Sequence, residues 1–343
     1  MSEAPPRRLA GPAAAVVALV APFALDRYWL STAVFVLVAA IGAAGLDVLT
    51  GRTGQISLGH AFFLGAGAYT AGVLGGRYHL DAEVWIPAAA AVAGLLGAAV
   101  APATLRLRGL YLAIVTIGVV VIGGHVFVNV AWLSGGPGGE ALPSPRFGPL
   151  DFATGARVGG LGFGRDRLFY YLALGILALS TAFVANLDRG SPGRAMASVR
   201  DREVAAAVMG VPVARTKLGA FVVSSALAGV SGALYGSYLG FVVPSQWDLT
   251  RSISFVVMIV VGGMASRWGP ALGAAFVVGL PAVLRYVAGG LPFGVTGTGT
   301  HGAITVSDLA AVVFGVALVV TLLAEPGGLV GLARRLLHTA DRG

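Results

Sequence analysis

Long apolar segments, separated by short polar stretches, follow one another along almost the whole chain. A helix needs about 20 mostly apolar residues to cross the hydrocarbon core of a bilayer. Ten segments approach this requirement, and they comprise residues 9–25, 30–49, 56–76, 84–104, 109–133, 168–187, 218–243, 252–265, 268–288 and 305–324. The pattern predicts an all-α polytopic membrane protein with about eight to ten transmembrane helices, some of them broken or re-entrant.

Two of these segments are less regular than the others. The first follows Arg7 and Arg8, as the apolar part of a signal peptide would, but the second segment begins almost at once, which favours a span. The segment 252–265 is short because Gly262 and Gly263 end it. It is therefore either a full span or a re-entrant half-helix.

The composition places the chain in the membrane rather than in water. Hydrophobic residues make up 57% of the sequence and charged residues 11%, whereas soluble proteins carry about 25% charged residues. The net charge of +8 is concentrated in particular loops, so it does not indicate nucleic-acid binding. The absence of cysteine excludes disulfides, zinc–thiolate sites and thiol nucleophiles.

The loop 188–217 carries a cluster of basic residues between two apolar segments. Short loops with such an excess lie on the cytoplasmic side of a membrane. Ser191 as the N-cap and Pro192 as the first helical residue predict a helix that ends at Gly210, with Pro212 just beyond it. The sequence therefore predicts a cytoplasmic helix within this loop.

This predicted helix combines an apolar stripe with several charges. Met196, Val199, Ala206 and Met209 recur at spacings near three and seven, and charged side chains lie between them. One interpretation is a docking helix that is presented to a cytoplasmic protein. The other is a basic amphipathic helix that rests on lipid headgroups, and the charge pattern fits both.

The distribution of positive charge also predicts the orientation. With both termini in the cytoplasm, most of the 23 Lys and Arg residues fall on the inner side. The long loop 134–167 then lies outside the cell membrane. It is rich in Gly and Pro and has no core-forming pattern before Phe169, so we expect an irregular extracytoplasmic cap.

Polar residues within the apolar segments are candidates for a translocation path. The third segment is also so rich in glycine that it indicates either close helix packing or a break that points backbone groups into a cavity. His60 is expected to be a hydrogen-bonded structural residue, and Asn129 to bond between helices rather than to contact the outer mouth. In the seventh segment, packing explains the small residues and a pore lining would explain the Ser and Tyr residues among them, so both interpretations stay open. The candidates are Gln55, Ser57, His60, Tyr69, Thr116, Asn129, Ser224 and Tyr235.

Sequence motifs for catalysis and for energy coupling are absent. The one lysine, Lys217, lies between Thr216 and Leu218, so the chain has no P-loop and cannot bind ATP through one. The five histidines form no metal-binding pair, which indicates neither a metal site nor a resident cofactor. No carboxylate lies at the centre of a segment, and this argues against an ion-coupled secondary transporter and against a membrane enzyme.

Several motifs carry a family resemblance. They are TGQISLGHAFFLGAGAY (53–69), LRLRGLYLAIVTIG (105–118), the stretch 193–244 that begins GRAMASVRDREVAAAVMGVPVARTKLG, MIVVGGMASRWGPALGAA (258–275) and AEPGGLVGL (324–332). These stretches resemble the LivM-type permeases of bacterial branched-chain amino acid ABC importers. The resemblance extends over residues 46–332 and implies a single transmembrane permease domain over 1–343, in the cytoplasmic (inner) membrane.

The resemblance also implies partners and a solute. It implies a LivH-like second permease, two cytoplasmic ABC ATPase subunits that hold ATP and Mg²⁺, and a periplasmic or lipid-anchored solute-binding protein. The solutes would be branched-chain amino acids, with amides, urea or aromatic amino acids as alternatives. An ion-coupled secondary transporter is the alternative function.

By the same resemblance, the helix 193–210 would be the coupling helix that docks on an ATPase subunit. Of the EAA-x-x-x-G signature of this broad class, Ala205, Ala206 and Gly210 match, but Val204 holds the position of the glutamate and Glu203 lies one residue earlier. The outer loop reads SGGPGG at 134–139 where such relatives usually read TGGSDG, so a role of that loop in handling solute is in doubt. The residues expected to couple to the ATPase are Arg194, Met196, Val199, Arg200, Arg202, Glu203, Ala205, Ala206, Met209 and Gly210. Among them, Arg200, Arg202 and Glu203 would supply charged contacts, and Met196, Val199 and Met209 apolar ones.

Overall fold

The computed structural model describes residues 10–105, 107, 109–158 and 161–288, with short pieces between 312 and 331. The predicted span 305–324 and the basic residues near both termini lie mostly outside the described residues. Six helices within the described ranges are long and apolar enough to cross a membrane. The protein is therefore an all-α polytopic membrane protein, as the sequence predicted.

The apolar segments form a bundle of helices. The helices are α1 (Ala10–Ala24), α2 (Arg27–Asp47), α3 (His60–Ala71), α4 (Ala82–Leu105), α5 (Leu110–Asn129), α6 (Ala131–Ser134), α7 (Arg165–Arg189), α8 (Ser191–Val208), α9 (Val213–Leu239), α10 (Leu249–Gly262) and α11 (Gly269–Ala288). Two helices continue into π-helical turns, α2 through Val48–Arg52 and α3 through Gly72–Arg77. Such turns inside helices often mark functional positions.

Two predicted spans are shorter in the structure. Helix α10 has 14 residues, which at about 1.5 Å per residue makes it too short for a hydrocarbon core of about 30 Å. The half-helix interpretation of 252–265 is therefore the one that the geometry supports. Helix α3 begins only at His60, because residues 54–59 run in an irregular conformation after the π-helical turn of α2.

We call the two ends of the bundle the α8 end and the hairpin end. At the α8 end, α2 and α7 finish side by side, and Arg52 hydrogen-bonds Asp188. At the hairpin end, three short antiparallel strand pairs form, β1 (Glu140–Ala141) with β6 (Phe241–Val242), β2 (Arg146–Phe147) with β3 (Leu150–Asp151), and β4 (Ala156–Val158) with β5 (Leu161–Phe163). Arg77 pairs with Glu140 there.

The expectation that 134–167 is an irregular cap without core-forming residues is wrong in part. The loop forms the short strands described above, and Leu142 and Phe152 are buried in the hydrophobic core. Single apolar residues between turns gave no periodic signal, since their burial depends on contacts with distant helices. The cap is also held by an ion pair of Arg146 with Asp81, which raises the pKa of Arg146 above its usual value.

Glycine allows the central helices to approach closely. A Cβ atom on Gly232 of α9 would overlap the carbonyl oxygen of Leu64 in α3, and one on Gly67 of α3 would overlap the backbone of Gly229 in α9. Contacts of small residues are typical of helix packing in lipid, where burial of apolar surface gives little driving force. Close packing therefore explains the glycines of α3, and the irregular segment 54–59 shows that a break occurs before this helix as well.

Candidate functional site: the α8 platform and a central cavity

Local sequence signals place the helix α8. Pro192 lies in its first turn, and Gly210 adopts the positive φ of 83° that ends a helix. The prediction of Ser191 as N-cap is wrong, because Gly190 precedes the first helical residue and no side chain caps the helix. Arg202 has non-helical dihedral angles, so α8 is kinked within the predicted coupling region.

One face of α8 packs on the protein's own bundle. Met196, Val199 and Ala206 are buried there, so in this conformation Met196 and Val199 contact this chain and are not open to a partner. The large apolar side chains exposed on α8 and at its C-cap are Val204, Val208 and Met209, the last two more than four-fifths accessible. We call these three residues the outer face of α8.

Polar contacts of Arg200 and Glu203 help to hold α8 to the rest of the chain. The Arg200 guanidinium donates to the Gly51 carbonyl at 2.9 Å, and the buried Lys217 ammonium donates to the Glu203 carboxylate at 2.8 Å. The charged contacts that the sequence assigned to Arg200 and Glu203 are therefore made at least in part within this chain. The predicted coupling residues Arg194, Arg202, Ala205, Met209 and Gly210 are exposed.

A buried ion-pair network lies directly beneath α8. Asp47 is fully buried and accepts from the backbone N–H of Ala265 at 2.7 Å and from the Arg52 guanidinium. Arg52 in turn donates to both carboxylate oxygens of Asp188, at 2.7 and 3.1 Å. The network joins the ends of α2 and α7 to the loop between α10 and α11. Sequence reasoning noted Asp47 only as a residue at the end of a span.

Four of the predicted path residues gather around the start of α3. Thr116 accepts from the Leu58 N–H at 2.9 Å, and Ser57 accepts from the Gly59 N–H at 3.3 Å. The side-chain amide of Gln55 donates to Thr53 at 2.9 Å, and His60 is buried with its Nε2 unpartnered among the described residues. Thr116, Ser57 and Gln55 thus satisfy polar groups of an irregular segment inside the bundle. The hydrogen-bonded structural role expected of His60 stays a prediction.

The remaining path candidates are dispersed. Tyr69 is fully buried, with its hydroxyl unpartnered among the described residues, and Ser224 is buried in the helix interface near Gly45. Asn129 is exposed and donates to the carbonyl of His125 in its own helix at 2.8 Å. The prediction that Asn129 bonds between helices is therefore wrong, since its amide is satisfied one turn earlier in α5.

A cavity of about 400 Å³ lies inside the bundle. We call it the central cavity; α2, α3, α9, α10 and α11 surround it, together with Trp247 from the turn before α10. Of the predicted path residues only Tyr235 lines it, beside aromatic and aliphatic side chains such as Phe35, Phe255 and Met258. It is large enough for a small solute and mostly apolar, with a few polar groups, as ligand sites generally are.

The polar lining of the cavity was missed from the sequence. Arg251 and Arg285 both line it, although neither was among the path residues predicted from the sequence. Arg251 donates to the Tyr235 hydroxyl at 2.9 Å and lies 4.7 Å from the centre of its ring. A signal was present, because Arg251 stands at the start of an otherwise apolar segment, where a charge is costly unless it is functional.

The described structure thus defines a polytopic helical membrane protein with an internal cavity and a charged helix held against one end of the bundle. Residues 28–322 match the family described as "Branched-chain amino acid transport system / permease component". The match covers most of the chain, and the chain belongs to this family. The LivM-type resemblance inferred from the motifs is confirmed.

Two similar curated proteins are high-affinity branched-chain amino acid transport system permease proteins LivM. The chain is 34% identical to the one from Salmonella typhimurium and 35% identical to the one from Escherichia coli, each over 276 residues. These alignments cover 77% of this chain but 65% of each relative, so the chain spans less than two thirds of their length. The autoinducer 2 import system permease protein LsrC of an Enterobacter strain is 29% identical over 180 residues, which is 49% of this chain and 50% of that protein. No solved structure matches the chain.

Proposed function

We propose that the chain is a permease subunit of an ABC importer that carries branched-chain amino acids into the cytoplasm. The family match over residues 28–322 is the observation that carries this proposal. The identity with the two LivM proteins supports the same solute class. The lack of a P-loop in the sequence agrees with a subunit that receives energy from separate ATPase subunits.

The proposal also includes the membrane, the orientation of the chain in it and its partner proteins. The bundle lies in the bacterial inner membrane with the α8 end and both termini in the cytoplasm, as the basic residues of α8 favour. A LivH-like permease pairs with it, a periplasmic or lipid-anchored binding protein delivers solute at the hairpin end, and two ATPase subunits that hold ATP and Mg²⁺ bind at the α8 end.

Helix α8 is the proposed contact with an ATPase subunit. Its outer face exposes Val204, Val208 and Met209 to solvent, and an exposed apolar patch on a helix with charged neighbours is typical of a docking site. The buried Met196 and Val199 instead fix α8 to this chain. A movement of the ATPase would therefore reach the bundle through α8 as a unit.

Transport by the assembled importer tests the proposal. The permease is co-expressed with the second permease, the ATPase subunits and the binding protein encoded with it, and reconstituted in proteoliposomes. We expect uptake of labelled leucine that requires ATP on the α8 side and the binding protein on the other side. Uptake that persists without ATP and collapses with the proton gradient would contradict the proposal.

A second experiment tests the docking surface. We expect Val208→Asp to prevent co-purification of the ATPase subunits while the folded permease still inserts in the membrane, because a charge enters an apolar contact. Tyr78→Asp is the matched control, since Tyr78 has a similar large exposed fraction but lies after α3 at the hairpin end. Equal ATPase binding by both variants would show that the outer face of α8 is not the docking surface.

A further inference from the structure

We propose that the central cavity binds the transported solute by its carboxylate group, with Arg251 as the binding residue and Tyr235 as the residue that positions it. This inference rests on the proposed function, to which it adds a binding site within the permease itself. The site would take small carboxylates that carry an apolar side chain.

Tyr235 holds the Arg251 guanidinium in a fixed orientation at the cavity. The guanidinium is half-buried at the cavity and is held in two ways by Tyr235, by the hydrogen bond of 2.9 Å from Nη2 to the hydroxyl and by the ring face at 4.7 Å. Tyr235 is itself packed between Phe35 and Trp247. A guanidinium has five N–H donors in a planar fork, and the described contacts with Tyr235 use one nitrogen. Tyr235 thus orients the guanidinium, and its other N–H groups remain as donors for a ligand.

The described lining of the cavity carries positive charge without negative charge. Arg251 and Arg285 line it, and no Asp or Glu does among the described lining residues. Within the described part of the chain, neither guanidinium forms an ion pair. Asp248, the acidic residue nearest to Arg251 along the helix, accepts from its backbone N–H at 2.9 Å as the helix cap. Arg285 is exposed, whereas Arg251 is half-buried. Cations inside a membrane bundle generally pair with an opposite charge, and at Arg251 a solute carboxylate would supply it.

The remaining lining residues indicate an apolar side chain on the solute. Phe255, Met258, Val38 and Val278 form apolar walls beyond the two arginines. A carboxylate at Arg251 places an aliphatic side chain against these walls, where burial is favourable. Urea and simple amides, which lack a negative charge, gain nothing from the arginine pair. The lining thus favours solutes with a carboxylate and an apolar side chain over urea and simple amides.

Solute binding to the full chain in lipid nanodiscs tests the inference without relying on a variant. Quenching of tryptophan fluorescence is titrated with leucine and with leucinamide, in which an amide replaces the carboxylate. We expect saturable quenching by leucine, at least about tenfold weaker binding of leucinamide because charge-assisted bidentate bonds are lost, and loss of the signal in Trp247→Phe. Equal affinity for the two compounds, or no leucine binding by the chain, would overturn the proposal.

Uptake by the assembled importer separates this inference from the proposed function. If the wild-type importer takes up leucine with ATP, the proposed function stands, and Arg251→Gln is then expected to slow uptake at saturating binding protein at least about tenfold while ATP hydrolysis continues. Arg251→Lys should recover part of the rate, and Tyr235→Phe should lower it less than Arg251→Gln.

The control for uptake is Arg165→Gln, because Arg165 also lies over a tyrosine ring, that of Tyr238, at the same end of the bundle but outside the cavity lining. The control is expected to transport at the wild-type rate. Undiminished uptake by the Arg251→Gln importer would refute the carboxylate site and leave the importer assignment untouched.

Discussion

Removal of the Asp47 carboxylate should destabilise the protein more than any other single change at the α8 end. Asp47 is completely buried, and its two oxygens accept from the Ala265 N–H and from the Arg52 guanidinium. The Arg52 side chain is itself 8% exposed. Asp47→Ala therefore leaves the Ala265 N–H without its acceptor and the buried Arg52 guanidinium without its closest counter-ion.

The expected loss of stability depends on the contacts that remain after the substitution. Removing one partner of a buried ion pair costs about 3–5 kcal/mol, and we expect the lower end, about 3 kcal/mol, because Asp188 still binds Arg52. Asp47→Asn should cost less, since an amide oxygen can still accept from Ala265, and the difference between the two variants should be about 1 kcal/mol for that hydrogen bond. Asp188→Ala is the control. Its side chain is 41% exposed, so about 1 kcal/mol is expected.

Equilibrium unfolding in mixed micelles measures these differences. The full chain is titrated with SDS in dodecyl maltoside, and helix content is followed by circular dichroism. The expected order of destabilisation is Asp47→Ala, then Asp47→Asn, then Asp188→Ala. A loss for Asp47→Ala below about 0.5 kcal/mol, the range of ordinary surface changes, or a larger loss for Asp188→Ala, would refute the reasoning.

Three further predictions concern packing and capping, each measured as the change in free energy of unfolding. Gly232→Ala should cost about 1–3 kcal/mol by overpacking the α3–α9 contact. Gly219→Ala in the same helix should be neutral or stabilising, because nothing lies within 4 Å of the added Cβ. Equal effects of the two substitutions would contradict the packing argument. Ser252→Ala should cost about 1–2 kcal/mol, since the Ser252 hydroxyl accepts from the Ala61 N–H at 2.9 Å; an unchanged stability would mean that water replaces it. Glu140→Gln, at an exposed pair with an arginine, should cost less than about 1 kcal/mol, and a larger loss would show that the pair fixes the outer cap.

Local signals in the sequence predicted α8 well. Pro192 and Gly210 each act on the backbone at their own position, so the helix bounds follow from the residues alone. Which face of α8 is buried did not follow. Met196 and Met209 belong to one apolar stripe in the sequence, yet the kink at Arg202 and the packing on α9 bury the first and expose the second.

The surroundings of the predicted path residues followed less well from the sequence, for a physical reason. A polar residue in an apolar segment can either satisfy the backbone at a helix break or line a cavity, and both require the same side chains. Ser57 and Thr116 accept from backbone N–H groups before α3, whereas Tyr235 lines the central cavity. Only the tertiary arrangement of helices distinguishes the two, because the partners are more than 50 residues apart for Thr116.

The contacts at the α8 end connect α8 to the cavity through a continuous set of bonds. Arg200 of α8 donates to the Gly51 carbonyl in the π-helical turn of α2. The same turn carries the guanidinium that pairs with Asp47, and Asp47 accepts from Ala265 in the loop between α10 and α11. Both of these helices line the central cavity and carry its two arginines. A displacement of α8 therefore either breaks one of these hydrogen bonds, of which those at Gly51 and Ala265 are partly buried, or moves the loop at Ala265. Moving that loop moves the two helices that carry the arginines of the cavity.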